Sequence, residues 1–437
     1  MKKIYIKDLN NYFNKEIELK AFVDNIRDLQ YVQFVVLRDS SGKVQLTIEK
    51  NEENKEMVEI ISNLTLESTL TITGTVYENP KVKLNGMEII PTNIVVTSRS
   101  LEELPIDIKN KEKSLRETRL DYRFLDLRRP DNYLFFKCQT LILQAMREYW
   151  VNNGYIEIQS PKIAASNAES GAEVFKIDYF GEEACLSQSP QFYKQMAMAA
   201  GFNNVFEIAP AFRAENSHTS YHSTEIFMVD AEISWIDSVE DVMDMQEAWL
   251  KYFLNKLNKK YGEEIKETFN VEISNTDVKF PRITFTEAKN ILKDKYNYVA
   301  DKTDDFERKE EELLCEHAKE LYNSDFVFIT KFPKSSRPFY HNIDNQGFSN
   351  SYDLLYKGVE ITTGAQREHR ADVLEKQIIE KGIAPKTLQF YIDFFKYGCP
   401  PHGGFGFGMA RLMMKIFELD NIREATYLYR GPNRLTP

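Results

Sequence analysis

Cysteine is scarce in this chain. Four are spread over 437 residues, at Cys138, Cys185, Cys315 and Cys399, and no two are spaced as a metal-binding or redox pair. That argues against a disulfide-built fold and a zinc centre, and for reduced thiols in a cytoplasmic protein. No apolar run approaches membrane-spanning length, and Met1-Lys2-Lys3-Ile4-Tyr5 has no apolar signal core, so no membrane partner is expected. Excess positive charge is missing too, the formal net charge being −11. A bulk average does not exclude a nucleic-acid partner, because binding needs only a local basic face. There is no P-loop and no dinucleotide-binding fingerprint, since the glycine-rich stretch near residue 404 has the wrong spacing and no lysine. Hydrophobic residues at 42% and charged residues at 28% describe a soluble globular protein, long enough for two or three domains.

The glycine pattern carries the most information. In Gly403-Gly404-Phe405-Gly406-Phe407-Gly408-Met409-Ala410-Arg411 the alternation predicts a strand with phenylalanines on one face and bare backbone on the other. A helix start follows, so Arg411 stands at a strand-to-helix junction. A nucleotide lying on the strand with its phosphates at Arg411 fits this arrangement. Tight packing against another backbone fits it as well.

Three other places attract attention. Val205 to Glu215 reads as a strand running into a loop, returning as Glu225 to Ile233. Arg213, opposite an acidic return strand, is costly unless it meets an anion, and His218 and His222 could reach outer phosphates. Lys194 falls on the first turns of a helix from Gln191, against the dipole preference. Facing inward it would need a carboxylate such as Glu169, Glu173 or a bound acid; facing outward it is an ordinary solvated lysine. Ser351 to Arg367 reads as strand-turn-strand, and Asp353 and Glu360 beside Thr363 suit Mg²⁺, or are surface carboxylates.

The first hundred residues read as five short strands with one helix-like stretch, Glu53 to Asn63, which suggests an OB-type barrel. Phe34 could stack a base, Gln45 and Glu88 could read its edge, and Arg27 could hold phosphate; an ordinary barrel with Phe34 in its core is the alternative. Arg123, Arg128 and Arg129 read as a basic surface or a solvated face. Asn132 to Asn153 is an amphipathic helix.

In chain order these features resemble the class II aminoacyl-tRNA synthetases, and among them the aspartyl-tRNA synthetases of the archaeal and eukaryotic type. Pro161, Phe212-Arg213-Ala214-Glu215 and Gly404 to Arg411 stand at the three class motifs. Gln188-Ser189-Pro190-Gln191-Phe192-Tyr193-Lys194-Gln195 is more specific, and Gly364-Ala365-Gln366-Arg367 points the same way. The resemblance spans almost the whole chain. It implies an α+β architecture: an OB-fold anticodon-binding domain over 1–103, a hinge over 104–131, and a class II catalytic domain over 132–437, an antiparallel sheet flanked by helices with a helical insertion at about 240–330.

The same resemblance implies ATP-dependent ligation of L-aspartate to tRNA through aspartyl-adenylate, with Mg²⁺ as cofactor, by a cytoplasmic homodimer. The partner is tRNA-Asp, with tRNA-Asn left open. By position, Arg213, Arg411 and Glu360 would be catalytic. ATP would meet Arg213, Glu215, His222, Glu360, Gly408 and Arg411. Aspartate would meet Glu169, Gln191, Lys194, Arg213, Thr363 and Arg367. Mg²⁺ would be held by Glu360, Thr363 and Asp353, and the anticodon by Arg27, Phe34, Gln45 and Glu88. Asparagine would leave two buried cations unpaired, which explains why no editing domain is needed. Tyr221, Ser223, Ala410 and Gly431 depart from the family pattern, which usually has arginine, leucine and two acidic residues there. Two rival readings are an amide-forming or pathway-specific ligase using the same adenylate, and a non-catalytic RNA-binding paralogue.

Overall fold

Alternating apolar residues in the first hundred positions send every second side chain toward a shared centre. The computed structural model, which describes residues 3–165 and 173–437, forms five strands there: β1 (Glu16–Asp28), β2 (Val32–Asp39), β3 (Gly42–Glu49), β4 (Thr69–Glu78) and β5 (Met87–Ser98). They close as a barrel in the order β1-β2-β3-β5-β4. Leu19, Val35, Leu37, Val44, Leu46 and Ile72 fill its centre, and closure leaves no unpaired edge. The helix Lys55–Ser62 lies between β3 and β4, as the sequence predicts. The only parallel pairing, β3 with β5, sets Gln45 beside Glu88. The chain divides into two compact units between Arg119 and Leu120.

The second unit has eleven strands among the described residues: β6 (Ile156–Glu157), β7 (Ile163–Ala165), β8 (Lys176–Tyr179), β9 (Glu182–Leu186), β10 (Asn204–Phe212), β11 (Glu225–Ser234), β12 (Arg282–Thr284), β13 (Phe326–Thr330), β14 (Ser351–Tyr356), β15 (Val359–Gln366) and β16 (His402–Gly408). Eight of them make one sheet, in the order β12-β13-β14-β15-β16-β11-β10-β6; β7, β9 and β8 make a small second one. Its interior is antiparallel, and only the outermost pairs, β12 with β13 and β10 with β6, are parallel.

Helices Pro130–Asn152 and Val239–Phe269 cover one face. Trp150 and Trp249 stack with ring centroids 4.6 Å apart, and Trp249 meets Phe405 and Phe407 of β16 at 5.5 and 5.2 Å. The phenylalanines of the alternating stretch therefore enter the core, and the glycines face the other way. Two expectations need correction. The stretch at about 240–330 is not a separate insertion in its first part: helix Val239–Phe269 places Trp249, Leu250, Phe253 and Leu257 in the main core, and β12 and β13 extend the main sheet. Nor are Arg123 and Arg129 a basic surface. Both are buried, Arg123 against Asp126 and the carbonyls of Glu424, Thr426 and Tyr427, and Arg129 against Asp131. A guanidinium inside a protein is tolerable with that many acceptors.

Candidate active site

The uncovered face of the sheet carries a row of polar positions. Asp353 on β14 pairs with Thr363 on β15, Thr363 with Gly406 on β16, Gly406 with Asp230 on β11, and Asp230 with Glu207 on β10. Above this row lies a cavity of about 730 Å³. Gly406 and Gly408 are part of its floor, and a Cβ at Gly408 would have its nearest neighbours at 3.8 Å, in ordinary contact. Gly404 is bare for a different reason: a Cβ there would run into the Ala231 carbonyl and the Glu232 carboxylate. So two glycines open the floor, and the third makes room for one of the protein's own side chains.

Arg213, Glu215, His222, Glu360 and Arg411 all line this cavity. Arg213 follows the end of β10, and among the described residues its guanidinium has no hydrogen-bonding or ion-pairing partner. The acidic return strand does not serve it. Arg411, in the first turn of the helix Met409–Ile416, donates to the Glu360 carbonyl at 2.9 Å and lies 3.9 Å from its carboxylate. Burial, together with the positive charge of Arg411, holds His222 below the usual imidazole range. His222 is therefore a neutral group on the wall. His218 is exposed and does not reach the cavity.

Lys194 and Arg367 are each 2% exposed and converge on one carboxylate. Lys194 Nζ lies 3.4 Å from Glu232 Oε2, and Arg367 Nε donates to Glu232 Oε1 at 2.9 Å. Lys194 also donates to Asp230 at 3.0 Å and to the Phe405 carbonyl at 2.9 Å, and Arg367 donates to the Gly404 carbonyl at 2.9 Å. The carboxylates expected for Lys194, Glu169 and Glu173, are not the ones found: Glu173 is exposed, Glu169 lies outside the described residues, and the partners come from β11. Burial raises Asp230, while the cations Arg367 and Lys194 overcome burial at Glu232 and lower it. Two cations thus share one firmly ionised carboxylate and a second that holds its proton more readily. Arg367 and Asp230 reach the cavity wall. Gln191, also on that wall, donates to Gln195, which is tied in turn to His402 and Tyr391.

The metal-ligand set is partly committed. Arg337 takes Asp353 in a two-point ion pair, at 3.0 and 2.6 Å, and Thr363 donates to Glu360 at 2.8 Å. Among the described residues no three His, Cys, Asp or Glu side chains converge as a cation cage. Glu360 with Thr363 is nonetheless a donor set that fits Mg²⁺, which binds through one or two carboxylates and keeps water and phosphate oxygens. Glu311, a residue sequence reasoning passed over, accepts from the Glu360 N–H at 3.2 Å. Burial and the nearby Glu360 push it up to about 8. Tyr340 and His341 also line the cavity unannounced, and burial and Arg367 hold His341 neutral. The alternating apolar pattern that exposed β10 and β11 contains no sign of either, because both lie on a loop.

A family profile for class II tRNA synthetases (D, K and N) matches residues 115–430. The chain belongs to that family. A second profile, the OB-fold nucleic acid binding domain, matches residues 17–97. An aspartate–tRNA(Asp) ligase of Pyrococcus horikoshii is 40% identical over 436 residues, 99% of each chain. An aspartate–tRNA(Asp/Asn) ligase of Methanopyrus kandleri is 41% identical, over 97% of this chain and 96% of the other. The crystal structure of asparaginyl-tRNA synthetase from Pyrococcus horikoshii complexed with asparaginyl-adenylate matches with a TM-score of 0.93 at 32% identity, over all of both chains. The resemblance to the aspartyl type, the α+β architecture with an OB-fold ahead of the catalytic domain, and the assignment as an aminoacyl-tRNA ligase are all borne out.

This class II synthetase carries a second cavity, of about 710 Å³, on its barrel. Arg27, Phe34, Gln45 and Glu88 all line it. Phe34 is not in the barrel core; its ring is half-buried with the Arg27 guanidinium 5.3 Å from its centroid. Arg27 donates to Gln45, Gln45 to Thr47, and Thr47 and Asn79 to Glu88. Lys43, Lys81, Lys83 and Lys109 ring the same hollow, a local basic face on an acidic protein.

Proposed function

We propose that this synthetase activates L-aspartate with ATP and Mg²⁺ and transfers it to the 3′ end of tRNA-Asp. One observation carries the choice of amino acid: two buried cations, Lys194 and Arg367, meet at Glu232 on the wall of a cavity that also contains Arg213, Arg411 and Glu360. The side-chain carboxylate of aspartate is the guest that such a pair accepts. Asparagine has the same shape and no charge, so discrimination rests on charge.

The chemistry asks for placement more than for proton transfer. An α-carboxylate oxygen of aspartate attacks the α-phosphorus of ATP, and the bond to the β-phosphate oxygen breaks, releasing pyrophosphate. Arg213 and Arg411 neutralise charge on the phosphates, and Gln191 and Thr363 sit where they can orient the amino acid. Mg²⁺, held by Glu360 and Thr363, supplies further neutralisation when bound. Asp353 then serves by fixing β14 against β15 through its pair with Arg337. The hydroxyl at the tRNA terminus subsequently displaces AMP from the adenylate. The barrel cavity, with Phe34 as a stacking ring and Arg27, Gln45 and Glu88 around it, is the surface offered to the anticodon. The family resemblance supports a homodimer in the cytoplasm, and the profile matches support the proposed barrel and catalytic portions either side of a hinge near 104–131.

A wider choice of tRNA is the second reading. Two relatives of nearly equal identity differ in the tRNAs that their names specify, tRNA(Asp) in one and tRNA(Asp/Asn) in the other. Charging purified tRNA-Asp and tRNA-Asn with labelled aspartate tests both readings. Aspartyl-tRNA-Asp is the expected product, equal rates on tRNA-Asn establish the wider range, and no charging of either defeats the proposal.

A further inference from the structure

Helix Arg308–Tyr322 opens with an arginine, which is the wrong charge for a helix N-terminus. Glu312 and Glu311 hold Arg308 from the next turn, at 3.2 and 3.5 Å. Its remaining contact leads out of the helix. Arg308 Nη2 lies 3.1 Å from the hydroxyl of Tyr221, and the guanidinium lies 4.2 Å from the centre of the Tyr221 ring. Tyr221 belongs to the loop between β10 and β11 and lines the large cavity, beside His222 and across from Glu360 and Arg411.

Guanidinium groups only donate hydrogen bonds. The Tyr221 oxygen is therefore the acceptor, and its own hydrogen must go elsewhere. Among the described residues that hydroxyl has no second partner. A phenol that accepts from a cation is a stronger donor, and a ring stacked on a guanidinium is held in one orientation. A triphosphate also needs more donors than the wall openly supplies: Arg411 already gives one N–H to the Glu360 carbonyl, and His222 contributes no full charge.

We propose that Arg308 is a positioning residue for ATP, holding Tyr221 so that its hydroxyl donates to the outer phosphates. This rests on the reading that the cavity takes ATP. The test is aspartate-dependent exchange of labelled pyrophosphate into ATP, with the wild-type protein measured first; no exchange there defeats the function itself, separately from this proposal. With exchange established, Arg308→Gln and Tyr221→Phe should each raise the KM for ATP about tenfold, with the KM for aspartate and the melting temperature unchanged. Arg308→Lys should recover part of the loss, because an ammonium donates but does not stack. Tyr221→Arg in the Arg308→Gln background should recover most of it, by placing donors on the loop directly. An ATP KM within twofold of wild type in both single variants would overturn the proposal. So would a parallel rise in the aspartate KM with a fall in melting temperature, which marks a merely structural contact.

Discussion

Lys194 stood out in the sequence because a cation on the first turns of a helix opposes the dipole, and the structure shows why it is there. It is buried with Asp230 and Glu232, residues of a strand far along the chain, so the anomaly was legible and its partners were not. Pairing depends on the register of β11 against β16, which local sequence does not encode. Lys194→Met removes one cation from a buried cluster, a loss of about 3–5 kcal/mol. Denaturant unfolding should register part of it, and the aspartate KM in pyrophosphate exchange should rise by more than about a hundredfold. His402 gives a pH test at the same scale. Burial holds it down to about 4, against an unfolded value near 6.5. The unfolded chain therefore binds more protons between those values, and stability is lost as pH falls through that window, by an amount on the order of 3 kcal/mol. Unfolding midpoints between pH 4 and 8 should show a rise to about pH 6.5 and then a plateau as far as this group is concerned. The rise should be shallower in His402→Gln.

At the scale of the element, β16 was the most readable piece of the chain. Its alternation named the strand, the core face and the open face, and the structure agrees on all three. What each glycine is for could not be read, because the answer lies in the neighbouring strand. Gly404→Ala would force apart β11 and β16 at Ala231 and Glu232, and should destabilise by about 1–3 kcal/mol in thermal or denaturant unfolding. Gly408→Ala meets only ordinary contacts, so stability should hardly change while the added methyl, at the cavity floor, raises the KM for ATP. Helix Arg308–Tyr322 is the contrary case. Its charge pattern reads as a solvated surface, yet Arg308 and Glu311 stand behind the cavity wall, at Tyr221 and Glu360. Charged residues on a helix look alike in sequence whether they meet water or a partner from another element.

For the whole molecule, the division into an N-terminal barrel and a larger sheet-and-helix unit followed from the change of period, two in the first hundred residues and 3.6 from the helix Pro130–Asn152 onward. Each unit holds one cavity of similar size, and the two are assigned different partners: polynucleotide for the barrel, ATP and amino acid for the larger unit. Phe34→Ala should therefore weaken charging of tRNA, through an apparent tRNA KM about tenfold higher, and leave pyrophosphate exchange without tRNA at the wild-type rate. The central claim is that the larger cavity selects a negative guest through Lys194 and Arg367. Comparing aspartate with asparagine in pyrophosphate exchange, with ATP and Mg²⁺ in excess and no tRNA present, addresses it most directly. A kcat/KM for aspartate higher by about 10⁴ or more is the predicted result, and equal or better turnover of asparagine would contradict the account.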